Sequence, residues 1–337
     1  MIPPNYRSLN LPGQISLLRT GSLEAIEKAL QNALLFKALI LDSWDHDHAS
    51  GLSIHRFGFL TPAAAGQRRT LYPTHNEGLC SCINTIICTL LEIQQRGESL
   101  PGVIDMSFGM QSFNQNLAAD FYHLFYAAPT PAALATMEST EIAAGFQSLP
   151  DQPNKFNHHG DYQALIHKTL GLRWCRAYAD AYCRPTQRLQ ARVDFFAQQY
   201  ALTKLRTLVA CYRGTDKQLE HAADPLDAYI EKAKQLVEQH NLEQVIIQTD
   251  QEQVRRVFSD NFGATCRYIK ELPATHGSTV LHYALSAEYD REAWTLDLLA
   301  MIEACSDTAV VLTHTGNVGL QLALHAAVKG RSFVQLN

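Results

Sequence analysis

The chain has 337 residues, more than one usual domain, and 46% of them are hydrophobic, which predicts packed cores rather than disorder. The formal net charge of −5 argues against a general nucleic-acid-binding protein. We find neither a signal-peptide pattern nor a stretch apolar enough to span a membrane, and we therefore expect a cytoplasmic protein. Its eight cysteines include no CxxC pair, so we expect reduced thiols rather than a zinc knuckle.

In the first half of the chain, hydrophobic spacing predicts three helices and two strands. The helices cover residues 22–34, 83–93 and 162–183, and the strands cover 38–44 and 102–107. The segment 127–159 is rich in Pro, Ala and polar residues and receives no assignment. Pro185 begins a further helix whose apolar residues share one face: Leu189, Val193, Phe196 and Tyr200.

From residue 207 onward, predicted strands alternate with predicted helices. The strands cover 207–212, 244–248, 266–269, 308–312 and 332–336, and the helices cover 226–240, 252–261, 293–305 and 318–328. This alternation is typical of an α/β fold with a parallel sheet and helices on both of its faces. We predict two domains, residues 1–185 and 186–337.

Three of these strands end in polar residues. The tips are Arg213-Gly214-Thr215-Asp216-Lys217, Thr249-Asp250, and Thr313-His314-Thr315-Gly316-Asn317. Parallel strands bring such tips to one edge of the sheet, which is where open α/β sheets bind ligands. The third tip directly precedes a helix, and the N–H groups of Thr315, Gly316 and Asn317 suit an anion.

Arg213 adds a planar guanidinium group with a permanent positive charge, which can form two hydrogen bonds to a phosphate. Gly214 lets the backbone approach that ligand. The alternatives are an exposed salt bridge between Arg213 and Asp216, and an ordinary capping arrangement of Thr315-Gly316-Asn317 before the helix. Neither G-x-G-x-x-G nor a P-loop motif occurs, which argues against dinucleotide dehydrogenases and P-loop hydrolases. The convergence of three tips predicts a diphosphate carried by a nucleotide.

The same segments resemble the GDP-fucose-dependent fucosyltransferases, which include the nodulation and α1,6-fucosyltransferases. YRGTDK after an apolar strand is similar to their HxRxTDK-type motif. VIIQTDQEQVRRVFSDNFG resembles their second segment, and WTLDLLAMIEACSDTAVVLTHTGNVGLQLA resembles the third. NEGLCSCINTIICTLL is similar to a Gly-rich helix start in their N-terminal domain. The resemblance covers roughly residues 189–330 and that upstream stretch.

This resemblance implies a GT-B-like fold of two Rossmann-like domains. The C-terminal domain would hold the donor nucleotide, and the N-terminal domain would face the acceptor. It also implies roles for individual residues of the three tips and of the helix before the third. Arg213 would hold the donor diphosphate, and Asp216 and Lys217 would organise its loop. Asp297 would accept hydrogen bonds from the N–H groups of guanine. Thr315 and Asn317 would contact phosphate, and Asp250 and Gly316 would line the donor site.

Four residues, in two of the motifs, depart from the family pattern. Cys211 stands where the family usually has His, Gly214 where it often has a second Arg, and Thr315-Gly316 where it has Ser-Ser. The catalytic base of one branch falls near Glu220 and His221, and the choice between these two stays open.

We therefore predict an inverting glycosyltransferase that moves fucose from GDP-fucose to a glycan or other hydroxyl acceptor, without cofactor or metal. Asp45-His46-Asp47-His48 is the one Asp-x-Asp run; it would either bind a divalent metal or form a polar loop on the acceptor side. The alternative function is a protein that keeps the nucleotide-binding fold without turnover, as the departures at Cys211 and Gly214 would allow.

Overall fold

The computed structural model describes residues 53–55, 57–61, 67–73, 75, 78–106, 120–142, 166, 168–171, 173–202, 206–213, 225–277, 281, 290–314 and 316–336. The chain divides into two units, Met1–Gln152 and Pro153–Asn337. The boundary predicted at residue 185 lies inside the second unit, between two of its helices. The predicted helix 22–34 and strand 38–44 lie outside the described residues.

The described part of the first unit includes a four-stranded mixed sheet and two α-helices with defined bounds, and residues 140–142 are also helical. Its elements are β1 (Ser53–His55), β2 (Gly58–Leu60), β3 (Thr70–Pro73), α1 (Leu79–Gln95), β4 (Val103–Ile104), a 3-10 turn (Phe121–Leu124) and α2 (Pro131–Met137). The strand order is β1-β2-β3-β4, with antiparallel pairing except between β3 and β4. The Rossmann-like character and acceptor role expected of the N-terminal domain stay predictions.

Helix α1 is buried along nearly its whole length, as the apolar run 83–93 predicts. Its threonines fit this setting because their hydroxyls bond back to the helix: Thr85 donates to the carbonyl oxygen of Cys82 and Thr89 to that of Thr85, each at 2.8 Å. Cys80 and Cys82 are buried in its first turn, in keeping with a packing role. None of the eight cysteines, all of which are described, forms a disulfide.

The second unit is built around a five-stranded, all-parallel sheet. Its helices are α3 (Arg173–Tyr182), α4 (Gln187–Gln199), α5 (Leu226–His240), α6 (Glu252–Phe262), α7 (Arg291–Cys305) and α8 (Asn317–Val328). Its strands are β5 (Thr207–Tyr212), β6 (Gln244–Thr249), β7 (Cys266–Tyr268), β8 (Val310–His314) and β9 (Ser332–Leu336), in the order β7-β6-β5-β8-β9. The predicted alternation and parallel sheet are confirmed.

Alternate residues of the central strands face opposite helical layers. Leu208, Ala210, Val245 and Ile247 pack into one hydrophobic cluster with residues of α5 and α6. The residues between them, such as Val209 and Cys211, therefore face the other side of the sheet. Helix α8 packs against β8 and β5, and α7 packs against α4 and α8. The sheet is thus flanked by helices.

The structure corrects three details of the predicted elements. Helix α4 begins at Gln187 rather than Pro185, because Thr186 is its N-cap and accepts a hydrogen bond from the N–H of Leu189. The strand predicted over 102–107 is only two residues long. The segment 127–159, for which the sequence predicts no element, contains α2. In the part of the chain that the structure describes, no helix is both long and apolar enough to cross a bilayer.

Candidate functional site

The register of the parallel sheet brings the tips of β5, β6 and β8 together. Tyr212 pairs with Thr249, and Ala210 pairs with Leu312. Because β5 lies between β6 and β8, Arg213 follows β5 with Asp250 on one side and the end of β8 on the other. The predicted convergence at the carboxyl edge is thus present for the described residues.

Arg213 and Asp250 form a charge pair at this edge. The Nε of Arg213 lies 3.4 Å from Oδ2 of Asp250, and the two side chains are 23% and 10% exposed. A guanidinium carries five N–H donors, so contact with one carboxylate is compatible with binding a second oxyanion. Burial raises the pKa of the Tyr212 phenol, and the charge of Asp250 raises it further, so Tyr212 is a neutral neighbour of the pair.

His314, the last residue of β8, connects the third tip to the first. The backbone N–H of Arg213 donates to its Nε2 at 2.7 Å, and its ring lies 5.7 Å from the ring of Tyr212. Since Nε2 accepts this bond, the proton of the neutral imidazole resides on Nδ1. The sequence placed His314 in the polar tip but gave it no role, because only the strand order shows that it faces Arg213.

Helix α8 begins directly after this tip, and two glycines let it approach. A Cβ on Gly319 would stand 2.7 Å from the carbonyl oxygen of His314, and one on Gly316 would stand 3.2 Å from its Cε1. Gly316 is the N-cap and supplies no side-chain hydrogen bond, while Asn317 is buried in the first turn. The first N–H groups of α8 therefore point at the edge that carries Arg213, in the setting that suits an anion.

The segment after β7 is hydrogen-bonded to the tip of β6. The N–H of Thr275 donates to the carbonyl oxygen of Asp250 at 2.8 Å, and the N–H of Glu252 donates to that of Thr275 at 3.0 Å. The amides of Gln251 and Gln253 both donate to the carbonyl oxygen of Gly277. These bonds fix the backbone around Asp250.

Tyr229 of α5 ties β5 to β8 below the tips. Its hydroxyl lies 2.7 Å from the carbonyl oxygens of both Cys211 and Leu312. Burial raises the pKa of this phenol well above its usual value, so it remains a hydrogen-bond donor. These two contacts fix the spacing between β5 and β8 from within the buried core. They therefore also fix the positions of Arg213 and His314 relative to each other.

Asp297 lies inside α7 rather than at a strand tip. Its Oδ1 accepts from Nε of Arg192 at 2.6 Å. The guanidinium of Arg192 also lies over the rings of Phe195 and Phe196, with its Cζ 4.5 and 4.7 Å from the two ring centroids. In the structure Asp297 thus joins α7 to α4. Its predicted contact with guanine stays a prediction.

Several predicted site residues lie outside the described residues: Gly214, Thr215, Asp216, Lys217, Glu220, His221 and Thr315. Their roles, and the choice of base, stay predictions. The Asp45–His48 run lies outside them as well. Within the described residues, no group of three or more His, Cys, Asp or Glu side chains is arranged to hold a metal ion.

No family model matches the sequence, and no curated protein does. Among solved structures, the chain is similar to POFUT1 in its apo form, with a TM-score of 0.33 and 9% identity over 49% of this chain and 50% of that one. It is also similar to POFUT1 in complex with GDP, with a TM-score of 0.32 and 8% identity over 49% and 50% of the two chains. The aligned part spans half the length of each POFUT1 chain.

Proposed function

We propose that this protein is an inverting glycosyltransferase that transfers fucose, or a related sugar, from a GDP-linked donor to a hydroxyl of a glycan or other acceptor. One observation carries the proposal. Arg213, Asp250 and the N-terminus of α8 meet at the carboxyl edge of a parallel sheet, on the segments that resemble the fucosyltransferase motifs.

The arrangement suits the departure of a nucleoside diphosphate. As the glycosidic bond breaks, negative charge grows on the leaving diphosphate, and fixed positive groups and N–H donors aimed at that charge lower the barrier. Asp250 restrains the guanidinium of Arg213, and His314 accepts from its backbone N–H. Arg213 is therefore held in place before the donor binds, which reduces the cost of ordering it.

Inversion at the sugar carbon needs a base that removes the acceptor proton on the face opposite the diphosphate. Glu220 and His221 are the two candidates for this role. With positive charge supplied by Arg213 and Lys217, we expect transfer to proceed without a divalent metal. Retention of turnover in EDTA would support this view, and loss of turnover that manganese restores would replace it with a metal at Asp45 and Asp47.

The test is a thermal-shift comparison of GDP, UDP and ADP, followed by assay of GDP release from GDP-fucose. A ligand that binds only the folded state raises the melting temperature, and we expect the largest rise with GDP. Equal shifts with all three nucleotides would remove guanine selectivity, and no shift would reject the proposal. A GDP shift without GDP release, across a panel of hydroxyl acceptors, would instead establish the nucleotide-binding protein without turnover.

A further inference from the structure

Gln248 is the one residue of β6 that is not buried. The other five residues of this strand are buried, whereas Gln248 is half-buried. A strand that lies inside a sheet flanked by helices is ordinarily buried on both faces. The partial exposure of Gln248 therefore indicates an opening onto the face of the sheet at this position.

This opening lies directly below the Arg213–Asp250 pair. Gln248 and Cys211 are partners in the register of β6 and β5. Asp250 and Arg213 are the first residues after these two strands. Each lies two positions beyond Gln248 or Cys211, so the alternation of the strands, carried one residue further, directs all four side chains to one face. Two residues of an extended strand span about 7 Å, which brings the carboxamide of Gln248 within reach of a diphosphate that contacts Arg213.

The carboxamide has a defined orientation. The thiol of Cys211, which is buried, donates to Oε1 of Gln248 at 2.9 Å. Since Oε1 accepts this bond, the Nε2 group with its two N–H donors is turned away from Cys211. Within the described residues, Nε2 forms no hydrogen bond, and the partial exposure of Gln248 leaves these donors accessible to a ligand.

We propose that Gln248 is a further ligand-binding residue of this site, which donates from Nε2 to a phosphate oxygen of the nucleotide diphosphate, and that Cys211 is a positioning residue that orients its carboxamide. This inference rests on the proposed function. It assigns a role to Cys211 at the motif position where the resembling family carries a His. The thiol acts on the ligand through Gln248 and does not contact it.

The experiment measures the dissociation constant of GDP by calorimetry for the whole chain and its variants. Gln248→Met keeps the length of the side chain and removes both donors, and we expect affinity to fall by about tenfold. Gln248→Glu also places a negative charge beside the phosphates, and the expected loss is on the order of a hundredfold. The matched control is Gln235→Glu on the exposed face of α5, which makes the same charge change and should bind GDP as the wild type does.

Cys211 is tested in two backgrounds. Cys211→Val should weaken GDP binding about threefold in the wild type and not at all in Gln248→Met, because two residues that act as one unit have non-additive effects. Cys211→Ser retains a donor to Oε1 and should bind normally. A Cys211→Val effect of equal size in both backgrounds would overturn the positioning role.

The outcomes separate this inference from the proposed function. If the wild type does not bind GDP, both are overturned. If the wild type binds GDP and the folded Gln248→Met and Gln248→Glu variants bind it equally well, only the role of Gln248 is overturned. Weaker binding of pyrophosphate by Gln248→Met would support the contact to phosphate, and a loss confined to GDP would overturn that assignment.

Discussion

The backbone N–H of Arg213 and Nε2 of His314, separated by 2.7 Å, join two strand tips that are far apart in the sequence. The bond comes from the main chain of Arg213 and so does not involve the guanidinium, which pairs with Asp250. His314 is only 5% exposed, and its ring is further held by the ring of Tyr212. The conformation of the residue that carries the proposed site therefore depends on β8 as well as on β5.

Replacement of His314 by Phe should lower stability. The ring would still pack against Tyr212, but the N–H of Arg213 would lose its acceptor in a largely buried setting, at an expected cost of about 1–3 kcal/mol in the free energy of unfolding. Urea denaturation measures this change. His276→Phe makes the same substitution at an exposed position and should shift stability by less than about 0.5 kcal/mol. Equal effects of the two variants would mean that the bond contributes nothing.

The parallel sheet could be predicted from the sequence because its strands are buried on both faces. Such strands are short, nearly continuous apolar runs separated by helical repeats, and the limits of β5 and β9 agree with the predicted ones. Strands β1, β2 and β3 were not predicted. They are three or four residues long, and so short a run shows no alternation that distinguishes it from a loop. Helix α2 carries a start signal in Thr130 and Pro131, but it is too short to show a periodic face.

The residues of the site also fall into those that could be predicted from the sequence and those that could not. Arg213 and Asp250 could be predicted because each follows an apolar strand and such tips share one edge of the sheet. The roles of His314 and Gln248 could not, because they depend on which strands are neighbours and on the register between them. Nothing local in the sequence places β5 between β6 and β8. The partner of Asp297 was missed for a similar reason, since Arg192 lies on a helix more than a hundred residues earlier.

The buried Glu303 should make stability depend on pH under acidic conditions. Burial alone would raise the pKa of its carboxyl, but His325 at 2.9 Å and Lys329 at 3.1 Å outweigh burial and lower the pKa from 4.5 to about 2. A carboxyl whose pKa is lower in the folded state contributes stability above its unfolded pKa and loses it as pH falls toward the folded value. About 3 kcal/mol should therefore be lost between about pH 5 and pH 2.

Urea unfolding at several pH values, for the wild type and Glu303→Gln, measures this contribution. The variant should lack the extra loss, so that its stability curve is flatter over this range. Glu231→Gln removes an exposed carboxylate paired with Lys234 and should leave the curve of the wild type unchanged. Parallel curves for the wild type and Glu303→Gln would contradict the assignment.

The proposed role of Asp297 in binding guanine can be distinguished from its ion pair with Arg192 by measuring nucleotide selectivity. Arg192→Met removes the ion pair between α4 and α7 and should lower the free energy of unfolding by about 1 kcal/mol, because both side chains are partly exposed. It leaves the carboxylate in place, so the preference for GDP over ADP should remain. Asp297→Asn should abolish that preference. If Asp297→Asn keeps the selectivity of the wild type in thermal-shift measurements, Asp297 serves only to join the two helices.

Arg213→Ala should impair both donor binding and turnover, because the charge on the leaving diphosphate grows in the transition state. Removing one such contact commonly costs about 3 kcal/mol, or on the order of a hundredfold in kcat. Arg213→Lys should restore only part of the rate, since an ammonium cannot reproduce a two-pronged contact. A steady-state assay of GDP release from GDP-fucose gives kcat and KM, and calorimetry gives the dissociation constant of GDP. An Ala variant that is folded and turns over at the wild-type rate would reject the role of Arg213.

Asp250→Asn distinguishes this role from a structural one. Both variants remove the charge pair between Arg213 and Asp250, so both should lose a similar, small amount of stability in urea. Only Arg213→Ala also removes the positive charge that the diphosphate meets, and it should therefore weaken GDP binding by the larger factor. Equal loss of GDP affinity in the two variants would show that Arg213 acts on the ligand only through its pairing with Asp250. Unfolding of Arg213→Ala alone would show instead that Arg213 is a structural partner of Asp216 and that the first polar tip is a salt-bridged turn.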